Sequence, residues 1–210
     1  MYHIDKNQCD QIIASLTTNS FHFQPLYRIF IPKLGRPNQF RPVTIQNLND
    51  IIVMEAIALI LSELFYFIFL PCIHGFIKGL GTRTCYFDLL CWPNVNHFIS
   101  TNVVGCFDQI PHKQLLDVPS SFIDDSCLLN LIFIFIKTDI LDKAGKNYGG
   151  TDRGIPQGSP LSPIIMNVYM HLFDVKMASY MSTYPNLHYV RYADDLLIGI
   201  CESQFLHIED

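Results

Sequence analysis

Apolar positions along the chain fall into two kinds of run, one alternating and one nearly continuous, with Pro and Gly clusters between them. Tyr27-Arg28-Ile29-Phe30-Ile31 alternates like a strand, and Phe40–Ile45 predicts a second. Pro32–Asn38 between them has the composition of a turn, so the two predict a hairpin. Ile12–Leu16 predicts a short helix. Ile51–Phe67 predicts a long one, with Asp50 as its cap. Pro71, Gly75, Gly79 and Gly81 mark an irregular connection, followed by a helix near Thr84–Leu90. Phe98–Val104 predicts a buried strand ending at Gly105-Cys106-Phe107-Asp108, and Pro111–Leu116 and Asp124–Lys137 predict helices. Tyr148–Ile155 leads into Pro156–Pro163, where Ser159 as cap and Pro160 at the first helical position start a helix running toward Tyr180. Leu187–Val190 and Leu196–Ile200 close the pattern as a strand pair around Tyr192-Ala193-Asp194-Asp195. Helices and strands mix without a regular βαβ rhythm, which predicts an α+β architecture.

Composition narrows this picture. The 210 residues, 50% of them hydrophobic, supply a core for one large or two small domains, and 13% aromatic content argues against disorder. The seven cysteines form no C-x-x-C pair and are odd in number, which suits reduced thiols in an intracellular compartment better than disulfides or a zinc site. Met1–Asp10 carries two Asp and no apolar core, so no signal peptide is expected there. Ile51–Leu70 is long enough to span a bilayer. Glu55 and Glu63 interrupt it, however, and each charge at a helix centre costs about 2.5–3.5 kcal/mol. A largely buried helix and no membrane partner are expected.

Asp194 and Asp195 are the sharpest chemical signal. Strands are depleted in Asp, and adjacent carboxylates repel unless a cation lies between them. Magnesium prefers carboxylate oxygens and completes its shell with substrate phosphates, so the pair points to phosphoryl chemistry. The net charge of −5 is unfavourable for a nucleic-acid protein, but its distribution is uneven. Gln11–Asn49 contains no acid and holds Arg28, Lys33, Arg36 and Arg41, so the hairpin has a basic tip.

In order along the chain stand Tyr-Arg-Ile-Phe-Ile-Pro-Lys (27–33), Phe-Arg-Pro (40–42), the helix opening at Asp50–Ala56, His-Gly-Phe (74–76), Gly-Cys-Phe-Asp-Gln-Ile-Pro-His (105–112), Gly-Ile-Pro-Gln-Gly-Ser-Pro-Leu-Ser-Pro (154–163) and Tyr-Ala-Asp-Asp (192–195). From about Ile12 to Ile200 the chain resembles the reverse transcriptase domain of group II intron-encoded proteins, the intron maturases. The resemblance implies a right-hand polymerase fold, with fingers over 1–96 and palm with interleaved helices over 97–210, stopping before the thumb. It implies an RNA-directed DNA polymerase, a nucleotidyltransferase in which two Mg2+ ions are held by Asp194 and Asp195. It also implies nucleotide-binding roles for Lys33 and Arg41 on the triphosphate, Phe107 beneath the sugar, and Gln157 and Gly158 along nucleotide and template. The implied partners are an intron RNA template, a DNA primer, deoxynucleoside triphosphates and a separate thumb or maturase chain.

One position departs from the family pattern. The third metal carboxylate falls six residues before Asp108, where this chain has Asn102. Asparagine keeps a carbonyl oxygen but loses the charge. Asp108 is no substitute, being about 20 Å away along a straight strand. Impaired polymerisation and weakened metal binding are therefore expected. The alternatives are a non-polymerising RNA-binding maturase fragment that assists splicing, or a degenerate remnant. The family's habits and the Ile- and Phe-rich composition imply an organelle-encoded mitochondrial protein, with plastid or bacterial cytoplasm as alternatives.

Overall fold

The structure, a computed structural model, describes residues 5–35 and 37–200. Arg36 of the basic hairpin tip and Cys201 lie outside them. In chain order the elements are α1 (Lys6–Thr17), β1 (Leu26–Pro32), β2 (Phe40–Ile45), α2 (Leu48–Phe65), α3 (Thr82–Leu90), β3 (His97–Asn102), α4 (Cys106–Gln109), α5 (His112–Ser120), α6 (Ser126–Ile136), β4 (Ile140–Leu141), α7 (Ser162–Thr183), β5 (Leu187–Tyr192) and β6 (Asp195–Ile200). The α+β expectation holds. Residues group into two compact units, one from 1–59 and 107–162, the other from 60–106 and 163–210. The division at 96 and 97 follows motif order, whereas these units interleave along the chain.

In the first unit, β1 and β2 form the expected antiparallel hairpin, with Tyr27 opposite Ile45 and Pro32 opposite Phe40. The two-residue β4 pairs parallel with β1, Leu26 opposite Ile140, and is too short to show a period in the sequence. Leu26, Phe135 and Ile132 are fully buried. The α1 helix is longer than Ile12–Leu16 because its start signal is polar. Asp5 accepts a hydrogen bond from the Gln8 amide at 2.8 Å, while the Gln8 side chain accepts from the Asp5 amide at 3.2 Å. The start of α2 corrects the expected cap. Asn47, not Asp50, caps the helix, its Oδ1 accepting from the Asp50 amide at 3.0 Å. Asp50 is buried within the first turn, accepts from the Gln24 amide at 2.9 Å, and has its pKa raised by that burial.

The α7 helix also starts later than expected, at Ser162 rather than Pro160. Ser159 instead accepts from the Leu161 amide at 3.2 Å, and its hydroxyl donates to Met54 Sδ at 3.3 Å. The Ser162 hydroxyl donates to the Pro156 carbonyl, folding the Pro-rich run back on itself.

The second unit carries an antiparallel sheet ordered β3-β6-β5. Gly199 in β6 lets the Trp92 ring lie on the sheet, since a Cβ there would meet Trp92 Cε3 at 2.7 Å. That ring stacks on His188 of β5 and Phe98 of β3. The expectation of a buried strand at Phe98–Val104 fails. β3 ends at Asn102 and is an edge strand with β6 on one side, and Phe98 is 59% exposed. An apolar run carries no mark of whether a strand will be central or marginal. No helix among the described residues is long and apolar enough to cross a membrane.

Candidate functional site

The Tyr192–Asp195 segment is the tight connection between β5 and β6, with Tyr192 opposite Asp195. Ala193 takes φ +57°, a left-handed conformation that disfavours any side chain. Antiparallel register puts Asn102 directly opposite Asp195, the last pair of the β3–β6 ladder. Such cross-strand partners have Cβ atoms about 4.5–5.5 Å apart. The Val103 amide then donates to the Asp194 carbonyl at 3.0 Å. Asn102, Asp194 and Asp195, inferred together from sequence, thus meet at one end of one sheet. Asn102 and Asp195 are exposed and Asp194 is half-buried.

Beneath this turn lies a charged network that sequence reasoning missed. Arg191, wholly buried in β5, donates through Nε and Nη2 to the two oxygens of Asp174 at 2.8 and 2.7 Å. Its Nη1 donates to Asn167 Oδ1 and to the Ala193 carbonyl, both at 2.8 Å. Tyr189 donates to Asp174 at 2.8 Å, and burial beside that carboxylate raises the phenol pKa. Asn167 Nδ2 donates to the Gly75 carbonyl at 2.8 Å. The available signal was an Arg in the apolar run 187–192 and an Asp among the apolar residues of α7. Nearby, burial and then the Asp194 charge push the Cys106 thiol up to about 11, so it stays protonated at neutral pH.

The other inferred residues belong to the first unit. Lys33 is exposed at the end of β1, where its amide donates to the Gln39 carbonyl at 2.8 Å, and Arg41 is exposed on β2 opposite Ile31. The Gln157 carbonyl accepts from both the amide and the hydroxyl of Thr44, at 2.7 and 2.8 Å, which ties the Gln157–Gly158 segment to β2. Gly158 has φ +93°, and a Cβ there would meet Val43 Cγ1 at 2.5 Å, so glycine is required. Phe107 is half-buried on α4, and its carbonyl accepts from the Ile155 amide at 2.7 Å. Gln157 Nε2 donates to Asp108 at 3.0 Å, so that carboxylate is engaged locally. Arg28, marked in the sequence only by its charge, is a further residue of interest. Its guanidinium stacks over Tyr148, and its buried Nε has no hydrogen-bond partner beside a cavity of about 240 Å³ lined also by Asp108, Arg153 and Pro156.

A hard divalent cation suits the donors at the turn in kind, since all are oxygens. They fall short in charge. Among the described residues no group of three or more His, Cys, Asp or Glu side chains is placed to hold a metal ion. Asn102, opposite Asp195 in the ladder, is neutral.

Residues 31–209 match the family model described as "Reverse transcriptase (RNA-dependent DNA polymerase)". The chain belongs to the reverse transcriptase family. It is 31% identical over 172 residues to the "Putative COX1/OXI3 intron 2 protein" of Saccharomyces cerevisiae, covering 81% of this chain and 20% of that one. It is also 31% identical over 168 residues to the "Group II intron-encoded protein LtrA" of Lactococcus lactis subsp. cremoris, covering 78% of this chain and 27% of that one. The reverse transcriptase domain is thus of the kind that group II intron-encoded proteins carry, and the chain spans under a third of the length of these relatives. Among solved structures, telomerase from Candida tropicalis superposes with a TM-score of 0.63 at 13% identity, covering 94% of this chain and 40% of that one. A partial Cas6-RT-Cas1–Cas2 complex gives 0.52 at 20% identity, covering 95% and 34%. These likenesses support the fingers-and-palm fold.

Proposed function

We propose that this chain is the fingers-and-palm part of an intron-encoded RNA-directed DNA polymerase whose nucleotidyl-transfer step is impaired. The observation that carries the reading is Asn102 facing Asp195 across the last rung of the β3–β6 ladder. Reverse transcriptases use divalent metal ions. Asp194 and Asp195 would hold Mg2+ here, where it supplies charge neutralisation and activation of the primer hydroxyl. Asn102 offers an amide oxygen in place of a third anion. Losing a partner outside the ligand shell costs about 10–100-fold in affinity or activity, so losing a ligand's charge should cost at least as much.

The remaining groups have roles that suit their chemistry. Lys33 and Arg41, both exposed, neutralise the triphosphate of a deoxynucleotide through charge-assisted hydrogen bonds. Phe107 sets the space beneath the sugar. Gly158, with no room for a side chain, brings backbone close to nucleotide and template. Arg28, with an unpartnered donor beside a cavity, adds a contact for an anionic strand. Partners are an intron RNA template, a DNA primer and a further chain or segment supplying the thumb. A mitochondrial, organelle-encoded setting draws support from a relative named as a mitochondrial protein of Marchantia polymorpha, and LtrA keeps a bacterial one open.

Primer extension on an RNA template tests the catalytic reading. The Asn102→Asp chain should extend with Mg2+ at least tenfold faster than the natural chain, and equal rates would overturn the argument. Asn102 itself favours a second reading, RNA binding that assists splicing without polymerisation. In that case affinity for intron RNA falls steeply between about 50 and 200 mM salt, as phosphate neutralisation requires, while Asn102→Asp restores no extension.

A further inference from the structure

We infer that Arg191 is a positioning residue for the Asp194–Asp195 turn, acting through the Ala193 carbonyl rather than by touching substrate or metal. The inference rests on the reading above that these two carboxylates hold a divalent cation.

A peptide unit is planar, so a directional hydrogen bond to its carbonyl restrains the orientation of the whole unit. Arg191 Nη1 holds the carbonyl of Ala193, and with it the plane joining Ala193 to Asp194. The Val103 amide holds the carbonyl of Asp194, and with it the plane joining Asp194 to Asp195. Both peptide planes flanking Asp194 are therefore pinned, one by a buried cation and the other by the residue that follows β3. The plane on the far side of Ala193 is confined by packing. A Cβ on Gly75 would lie 2.3 Å from the Ala193 nitrogen, so the Gly75 backbone presses on that plane directly. Gly75 is itself held by Asn167, which accepts from the same Arg191 nitrogen that holds Ala193. One guanidinium group thus fixes both the turn and its support.

The arrangement exceeds what packing needs. Asp174 and Tyr189 already satisfy each other and the Nε and Nη2 side of the guanidinium. A buried ion pair is often replaceable by apolar side chains without loss of stability. No apolar side chain can donate to the Ala193 carbonyl. Ala193 sits in a left-handed conformation that a non-glycine residue leaves when unrestrained. Lysine cannot substitute either, because a single ammonium cannot span Asp174, Asn167 and Ala193 with the fixed geometry of a planar fork.

The test uses the full chain with two readouts, hydrogen exchange at the Val103 amide and affinity for Mn2+ as the metal probe. In Arg191→Lys the β3–β6 ladder amides should keep their protection, while Val103 exchanges at least tenfold faster and Mn2+ binds about tenfold more weakly. Should that variant not fold, the double replacement Arg191→Met with Asp174→Leu removes the buried charges together and is read in the same way. Unchanged Val103 exchange in a folded variant overturns the proposal. Faster exchange with unchanged Mn2+ affinity overturns it too, because a turn that shifts without consequence for the ion is merely structural. Faster exchange in a protein whose natural chain and Asn102→Asp form bind no Mn2+ supports the clamp and sinks the metal reading instead.

Discussion

Gly75 and Ala193 form a contact that depends on the absence of one side chain and the tolerance of another. A methyl group on Gly75 would lie 2.3 Å from backbone nitrogen, which no rotamer change can relieve. Gly75→Ala should therefore destabilise the protein by about 1–3 kcal/mol, the range for overpacking, seen as a lower urea midpoint. Ala193→Gly should leave stability within about 1 kcal/mol. Relief of a left-handed penalty of about 1–2 kcal/mol offsets added chain entropy of about 0.4–1 kcal/mol and one lost methyl contact. A larger loss in that variant would mean that the turn is not strained. Sequence marked Gly75 only as irregular backbone, because close approach of two segments more than a hundred residues apart leaves no local pattern.

Among the elements, helix starts were legible in type and shifted in position. Asp124 and Asp125 are adjacent acids before an apolar run, and either could cap α6. The structure selects Asp125, whose carboxylate accepts from the amides of Cys127 and Leu128 at 2.8 and 3.1 Å. Asp125→Ala should cost about 1 kcal/mol and lower the melting temperature, while Asp124→Ala leaves it nearly unchanged. Equal effects of the two substitutions would show that the cap is shared. Pro160 misled for a similar reason. Proline suits a first helical turn, but the Ser162 hydroxyl bond to Pro156 holds the preceding run in a turn and delays the helix.

For the molecule as a whole, two buried histidines contribute to the response to acid. Burial lowers the pKa of His112, whose Nε2 bonds the Gly154 carbonyl at 2.6 Å, and of His171, which packs against Phe69. Below their ordinary value of 6.5 the unfolded chain takes up protons before the folded one. Their contribution to stability is thus full above pH 6.5 and declines as pH falls from there toward the lowered values. Asp50 acts the other way from 3.8 upward to its raised value, because the folded chain there holds a proton that the unfolded chain has released. Urea midpoints measured from pH 7.5 down to 5 should fall, and His171→Phe should flatten part of that fall. A flat profile in the natural chain would show that these rings titrate as freely as in the unfolded state.

Sequence by itself determined most of the segments that become helices and strands, the short α4 and β4 excepted, the order of the family's motifs, and the chemical identity of the groups at the turn, Asn102 included. Those are local or ordinal properties, carried by periodicity, turn composition and residue type. Tertiary structure alone decided that β3 is an exposed edge, that Asn102 faces Asp195, and that Arg191 reaches Ala193 and, through Asn167, Gly75. Each of these depends on register or burial between segments distant in the chain, where a shift of one residue would turn the same side chains to the other face of the sheet. The paired aspartates could be read from their spelling. What holds them in place could be read only from the fold.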